Sequence, residues 1–167
     1  MIPDNATCAE CIEGTLKAIN RYLADLRLKA RLVKDYPWND NVVGIYIHGS
    51  SRNGTLRIGC NTQMIIDDAT SYDEDYFDPQ KIAAEDIAMT LWHEAGHGLM
   101  EHIRRTRRKD TQKGTGLFKG PRLKKLKALL QDEEDTVEKF ADSMAGFSYT
   151  SDLETFINDN KEILINL

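Results

Sequence analysis

The sequence predicts an α+β fold that is rich in helices and contains a small, mostly antiparallel sheet. Apolar residues recur at helical spacing near the N-terminus, two short runs rich in β-branched residues follow, and helical spacing returns over the second half of the chain. The chain has 167 residues, of which 41% are hydrophobic and 29% charged, and no repeat, low-complexity tract or linker divides it. We therefore expect one domain over residues 1–167.

The N-terminal half is predicted to hold one long helix and a hairpin. Residues 5–34 carry apolar side chains at helical intervals, and a Tyr-Pro-Trp sequence then breaks the pattern. The runs 42–48 and 55–60 are joined through an Asn-Gly turn, which favours an antiparallel hairpin. Residues 63–66 are predicted to add a short strand, and residues 67–78 are acidic and irregular, as in a loop.

The C-terminal half is predicted to be helical. Asp78 is a suitable N-cap and Pro79 suits the first helical position, so a helix is expected from there to about residue 109. A basic loop with three glycines follows, and residues 122–148 predict one long helix or two abutting ones. Residues 151–154 read Ser-Asp-Leu-Glu, a capping box that predicts the start of a final helix.

A metal-binding signature lies inside the predicted helix that begins at Pro79. Residues 93–97 read His-Glu-Ala-Gly-His, the pattern HExxH. Residues four apart on a helix are separated by about 40° and share a face, so His93 and His97 can bind one metal ion. Glu94 can then reach a water at the open coordination position. This chemistry is typical of zinc (Zn²⁺) peptidases, with Glu94 as the catalytic base.

A catalytic zinc site usually has three protein ligands, and the third is predicted from a downstream helix. Glu138 and Asp142 form an ExxxD pattern on one helix face. Glu138 is the candidate ligand, and Asp142 is the candidate carboxylate that accepts a hydrogen bond from a ligand imidazole. His102 is a competing third ligand, but it lies about 140° around the helix from His97, so we expect it outside the site.

These motifs resemble those of the gluzincin metallopeptidases. HExxH followed by ExxADxxA is similar to the ImmA/IrrE-like proteins and to the Ste24-type peptidase core. The resemblance implies a zincin-like domain in which His93, His97 and Glu138 bind zinc, Glu94 is the general base and Asp142 lies behind the ligands. It also implies that residues 55–61 are the edge strand that lines an extended peptide above the metal.

The expected function is therefore the hydrolysis of peptide bonds in a protein or peptide substrate by zinc-activated water and Glu94. Four residues are candidates for stabilising the oxyanion: Tyr46, His48, His102 and Tyr149. The first residues lack the basic and apolar regions of a secretory signal, and no apolar run is long enough for a membrane span. We expect a cytoplasmic location without a membrane partner.

An uneven charge distribution favours an alternative function. Residues 104–127 carry eleven lysines and arginines against one acid, Asp110, so this basic segment has a charge of +10 and the rest of the chain −15. Such a segment can bind nucleic acid or an acidic partner, and the alternative is a zinc-containing binding protein that acts through it. The same charges can also belong to a solvated helix end.

The three cysteines, Cys8, Cys11 and Cys60, do not form a secreted disulfide framework. Cys8 and Cys11 form a CxxC pattern on the first predicted helix, without a second CxxC to complete a zinc site. We interpret them as small core side chains, with redox and metal roles as alternatives.

Overall fold

A helix of 35 residues, Pro79–Lys113, runs through the centre of the protein. The computed structural model describes residues 4–167, and within them it has an α+β fold with six helices and a three-stranded mixed sheet. The helices are α1 (Asn5–Ala24), α2 (Thr62–Ala69), α3 (Pro79–Lys113), α4 (Gly120–Gln131), α5 (Glu133–Met144) and α6 (Asp152–Asn166). The strands are β1 (Lys29–Leu32), β2 (Gly44–Tyr46) and β3 (Thr55–Cys60).

The boundaries of α3 follow from its capping residues. The Asp78 side chain accepts a hydrogen bond from the Gln80 backbone N–H, and Pro79 occupies the first turn, as the sequence predicts. The helix ends at Gly114, whose positive φ of 65° suits a residue without a Cβ. Between these ends α3 packs on α1, α2 and the sheet on one side and on α5 on the other.

The predicted hairpin is confirmed, but the sheet is mixed. Strand β2 pairs antiparallel with β3, and the connection between them contains a short 3₁₀ turn at Ser50–Asn53. Strand β1 lies on the other side of β3 and pairs with it in parallel, which makes β3 the central strand. The prediction of a mostly antiparallel sheet was wrong because it did not include β1.

Strand β1 was missed because residues 5–34 were predicted as one helix. Helix α1 ends at Ala24, and Arg27 takes a left-handed conformation with a φ of 56°, which turns the chain back. Both backbone groups of Ala30 then bond with the Asn20 side chain: Ala30 N–H donates to Oδ1, and Nδ2 donates to the Ala30 carbonyl. A single asparagine on α1 therefore positions the strand, which local periodicity does not reveal.

Residues 63–66 are helical rather than extended. They lie in α2, whose N-cap Asn61 accepts a hydrogen bond from the Met64 backbone N–H at 3.2 Å. Two other predicted boundaries are confirmed. Residues 122–148 divide into α4 and α5 at Asp132, and the Ser151 hydroxyl caps α6 by accepting from Glu154 N–H.

Two glycines bring α3 close to its neighbours. A Cβ on Gly96 would lie 3.1 Å from Val137 of α5, and a Cβ on Gly98 would lie 2.8 Å from the Leu56 side chain of β3 and 3.1 Å from the Tyr46 ring of β2. Hydrogen in place of a side chain therefore permits close backbone packing on both faces of α3. Both glycines lie within or beside the HExxH sequence.

The cysteines are free thiols. Cys8 and Cys60 are buried in the core, and Cys11 is half-buried against it, as expected for small apolar side chains. Burial raises the pKa of the Cys60 thiol to about 12, which keeps it protonated and unreactive at neutral pH. Within residues 4–167, no helix combines the length and apolar character needed to cross a membrane.

We expect Gly98→Ala to lower the free energy of unfolding by about 1–3 kcal/mol, because the added methyl overpacks the contact with buried Leu56. Gly14→Ala is the matched control: Gly14 is also helical, in α1, but an added Cβ meets nothing within 4 Å. It should raise stability by about 0.5–1 kcal/mol. Urea denaturation measures the free energy of unfolding of both variants. Equal stability of the two would contradict the close contact between Gly98 and Leu56.

Candidate metal centre

The two histidines of HExxH face α5 from the middle of α3. Their Nε2 atoms lie 3.2 Å apart, and both side chains are largely buried. The four-residue spacing on one helix produces this proximity. Burial and the neighbouring His97 lower the pKa of His93, so its imidazole is neutral near pH 7 and available as a ligand.

The carboxylate of Glu134, in the first turn of α5, lies beside both histidines. Its Oε1 lies 2.8 Å from His93 Nε2, and its Oε2 lies 3.4 Å from His97 Nε2. One ligand atom from each of the three residues lies within 4.8 Å of the others. Among residues 4–167, this is the group of histidine, cysteine and acidic side chains with the geometry to hold a metal ion.

The start of α5 explains why acids reach the histidines. Asp132 caps the helix by accepting from Asp135 N–H at 3.1 Å, and the next residues are Glu133, Glu134 and Asp135. Acidic side chains in a first turn are stabilised by the positive end of the helix dipole. Because Gly96 lets α5 pack tightly on α3, that first turn lies beside the two imidazoles.

Glu133 contacts His97 from the opposite edge of the ring. An ionised carboxylate only accepts hydrogen bonds, so His97 Nδ1–H donates to Glu133 Oε1 at 3.1 Å, and the lone pair of Nε2 is directed toward Glu134 and His93. This bond raises the pKa of His97 and is the largest cause of the lowered pKa of Glu133. The Arg104 guanidinium donates to the second oxygen of Glu133.

The side chain of Glu94 extends from α3 toward the sheet. A Cβ on Gly44 of β2 would lie 2.5 Å from Glu94 Oε1, so only a glycine leaves space for this carboxylate. Burial raises the pKa of Glu94 to about 7, and the nearby Glu134 also raises it while His97 acts in the opposite direction. A carboxyl group with a pKa near 7 can accept and return a proton at neutral pH.

The carboxylate of Glu94 borders a groove of about 270 Å³ between β2, α3 and α5. Eight residues line it: Val43, Gly44, Met89, Thr90, His93, Glu94, Glu138 and Ala141. Strand β2 is the edge strand on this side, because β3 is central. The expectation that residues 55–61 form the edge strand was therefore wrong, and residues 44–46 occupy that position.

Within residues 4–167, neither acid of the ExxxD pattern forms a hydrogen bond or ion pair with His93 or His97. Glu138 lies one helical turn beyond Glu134 and lines the groove, but its carboxylate is not part of the group of three. Asp142 accepts a hydrogen bond from the Tyr149 hydroxyl at 2.9 Å, and the carboxylate that accepts from Nδ1 of His97 is Glu133. Glu138 as a zinc ligand stays a prediction.

The candidates for oxyanion stabilisation have other partners. The Tyr46 hydroxyl donates to Glu101, and His48 packs edge-on against the Tyr46 ring. His102 Nε2 lies 3.1 Å from the Leu164 carbonyl of α6, on another face of α3, as its angular position predicts. Within residues 4–167, none of the four candidates forms a hydrogen bond to the histidines or to Glu134.

Comparisons with known proteins do not assign the chain to a family: no family model, no curated protein and no solved structure matches it. The gluzincin resemblance therefore depends on the short motifs alone. The feature of the site that the structure supports is the candidate metal-binding group His93, His97 and Glu134.

We expect Glu134→Gln to weaken zinc binding at least tenfold, because it removes the charged oxygens beside both Nε2 atoms. Glu138→Gln is the matched control, with the same substitution one turn along α5. It should leave zinc affinity close to that of the wild type. Competition with a chromogenic chelator measures both constants. Loss of zinc in the Glu138 variant alone would instead identify Glu138 as the ligand.

Glu133→Gln should weaken zinc binding about 10–100-fold without unfolding the protein, because the neutral amide holds the His97 tautomer less strongly than a carboxylate does. Asp135→Asn is the control, since Asp135 lies in the same helical turn but pairs with Lys139. The same chelator assay applies, with circular dichroism to confirm folding. Equal affinities in the two variants would show that Glu133 does not position the imidazole.

Proposed function

We propose that the protein is a zinc-dependent metallopeptidase. The observation that carries the proposal is the convergence of His93, His97 and Glu134 beside the half-buried carboxylate of Glu94, at a groove bordered by an edge strand. Each part has a role in peptide hydrolysis: ligands, a base and a surface for an extended chain.

The donor set suits zinc. Two imidazole nitrogens and a carboxylate oxygen form a three-ligand set common in catalytic zinc sites. One ligand atom from each of the three side chains lies within 4.8 Å of the others, so one divalent cation can bind all three. Zinc, when bound, lowers the pKa of a coordinated water and polarises a carbonyl group.

Glu94 is the proposed general base and acid. Its pKa of about 7 allows it to take a proton from the attacking water and then to deliver that proton to the leaving amine. Enclosure between α3 and Gly44 limits the rotamers of the carboxylate and excludes bulk water from one side of it. His97 is held in place by Glu133 and Arg104, so the ligand and the base are both fixed before substrate binds.

The edge strand supports an extended substrate. Strand β2 pairs with β3 along one side, which leaves its other edge for hydrogen bonds with a peptide strand. Beyond Met89 the groove adjoins a second cavity of about 500 Å³, with Ala84, Ala88 and Phe147 among its mainly apolar walls. We propose that a large apolar side chain of the substrate enters this second cavity.

The alternative function, binding of nucleic acid or an acidic partner through residues 104–127, remains a separate proposal. Five of the eleven basic residues there have partners within the chain: Arg104, Arg105, Lys113, Arg122 and Lys125. The alternative therefore concerns only the part of the segment whose charges are not used internally.

Glu94→Gln should retain zinc but lower hydrolysis by about 10²–10⁴-fold, because the amide cannot accept the proton. The substrate is a peptide library prepared from whole-proteome digests, and mass spectrometry identifies the new N-termini. Glu13→Gln, an exposed change on α1 away from both cavities, is the control and should cleave like the wild type. Undiminished cleavage by Glu94→Gln would exclude this mechanism, and zinc-loaded wild type without cleavage would contradict the proposed function.

A further inference from the structure

The second half of α3, beyond the metal centre, borders a groove with three arginines. The groove has a volume of about 460 Å³, and its lining residues are Arg104, Arg107, Arg108, Thr111, Gln112 and Leu130. The arginines share one face of α3 because they are three and four residues apart. Among residues 4–167, no carboxylate lines the groove. We call this surface the arginine groove.

Two of the three arginine charges in the groove are not neutralised by neighbouring acids of the described chain, whereas Arg104 pairs with Glu133. Within residues 4–167, the side chains of Arg107 and Arg108 form neither an ion pair nor a hydrogen bond. Asp110 is the single acid of the basic segment, but it is buried and accepts from the Thr115 hydroxyl and from the backbone N–H groups of Leu117 and Phe118. The Asp110 carboxylate therefore stabilises the loop that follows α3.

The chemistry of the lining residues favours phosphate. Arginine forms paired hydrogen bonds with phosphate oxygens, and the Gln112 amide adds a neutral donor. The Thr111 hydroxyl donates to the Arg107 carbonyl within the helix. Lys127 precedes Leu130 by three residues on α4, which places another cation on the adjoining face. Together these groups provide several positive charges along one groove, as a chain of phosphates requires.

The composition of the groove also distinguishes a nucleic acid from a protein partner. Protein interfaces usually depend on buried aromatic or aliphatic anchors, but among the described residues Leu130 is the only apolar one that lines the groove. No aromatic residue in the described part of the chain lines the groove, so it offers no surface on which bases could stack. We infer that the arginine groove binds the phosphodiester backbone of nucleic acid without reading its sequence, and this inference does not rest on the peptidase proposal.

The test compares two double variants of the full-length protein with equal loss of charge. Arg107→Gln with Arg108→Gln removes two charges from the groove. Lys17→Gln with Arg21→Gln is the control, because both residues are exposed on α1 and neither forms an ion pair within the described chain. Fluorescence anisotropy measures binding to two unrelated labelled DNA duplexes of about 20 base pairs, from about 50 to about 200 mM salt.

We expect the wild type to bind both duplexes with similar affinity and to weaken steeply with salt. The groove variant should bind about tenfold or more weakly, and its slope of log K against log salt should fall by about 2, since two phosphate contacts are lost. The control variant should bind like the wild type. Circular dichroism verifies that both variants are folded.

Three results would overturn the inference. No binding by the wild type at low salt would exclude a nucleic-acid site. Equal weakening in both variants would mean that net charge, not the arginine groove, determines binding. Displacement of the duplex by polyglutamate at equal charge concentration would identify an acidic protein segment as the preferred ligand.

Discussion

Close packing of α3 on both of its faces is the constraint on which the rest of the structure depends. At Gly96 the helix approaches Val137 of α5, and at Gly98 it approaches Leu56 of β3. Protein interiors are densely packed, so a side chain at either position would increase the separation of the elements. The candidate metal-binding group and the enclosure of Glu94 both depend on these separations, because each combines side chains from α3 with residues of the opposing element.

The electrostatics of the site depend on where α5 begins. Its first turn presents three consecutive acids, and adjacent residues there point in directions about 100° apart. Glu133 and Glu134 consequently contact the same imidazole of His97 at its two different nitrogens. One carboxylate fixes the proton on Nδ1, and the other lies beside the lone pair of Nε2. Arg104 balances the charge of Glu133, so the charge of Glu134 remains to attract a cation.

Local sequence signals predicted much of the fold and part of the site. The capping residues of α3 and α6, the β2–β3 hairpin and the spacing of the HExxH residues are properties of short segments, so a single sequence reveals them. Strand β1 depends on a contact between Asn20 and Ala30, and the choice of acid beside the histidines depends on helix packing. Glu133 was not predicted because the ExxxD pattern indicated acids further along α5. An N-cap followed by three acids is nevertheless a sequence signal for the start of that helix.

In the proposed mechanism, the enclosure of Glu94 by Gly44 couples substrate docking to the position of the general base. Gly44 belongs to the edge strand that would pair with a peptide, and its backbone is in near contact with the Glu94 carboxylate. Movement of β2 during docking would therefore change the space available to the base. In the proposed peptidase, a substrate that pairs with β2 in the wrong register would therefore also misalign the Glu94 carboxylate. Discrimination between substrates would then appear in the turnover rate as well as in affinity.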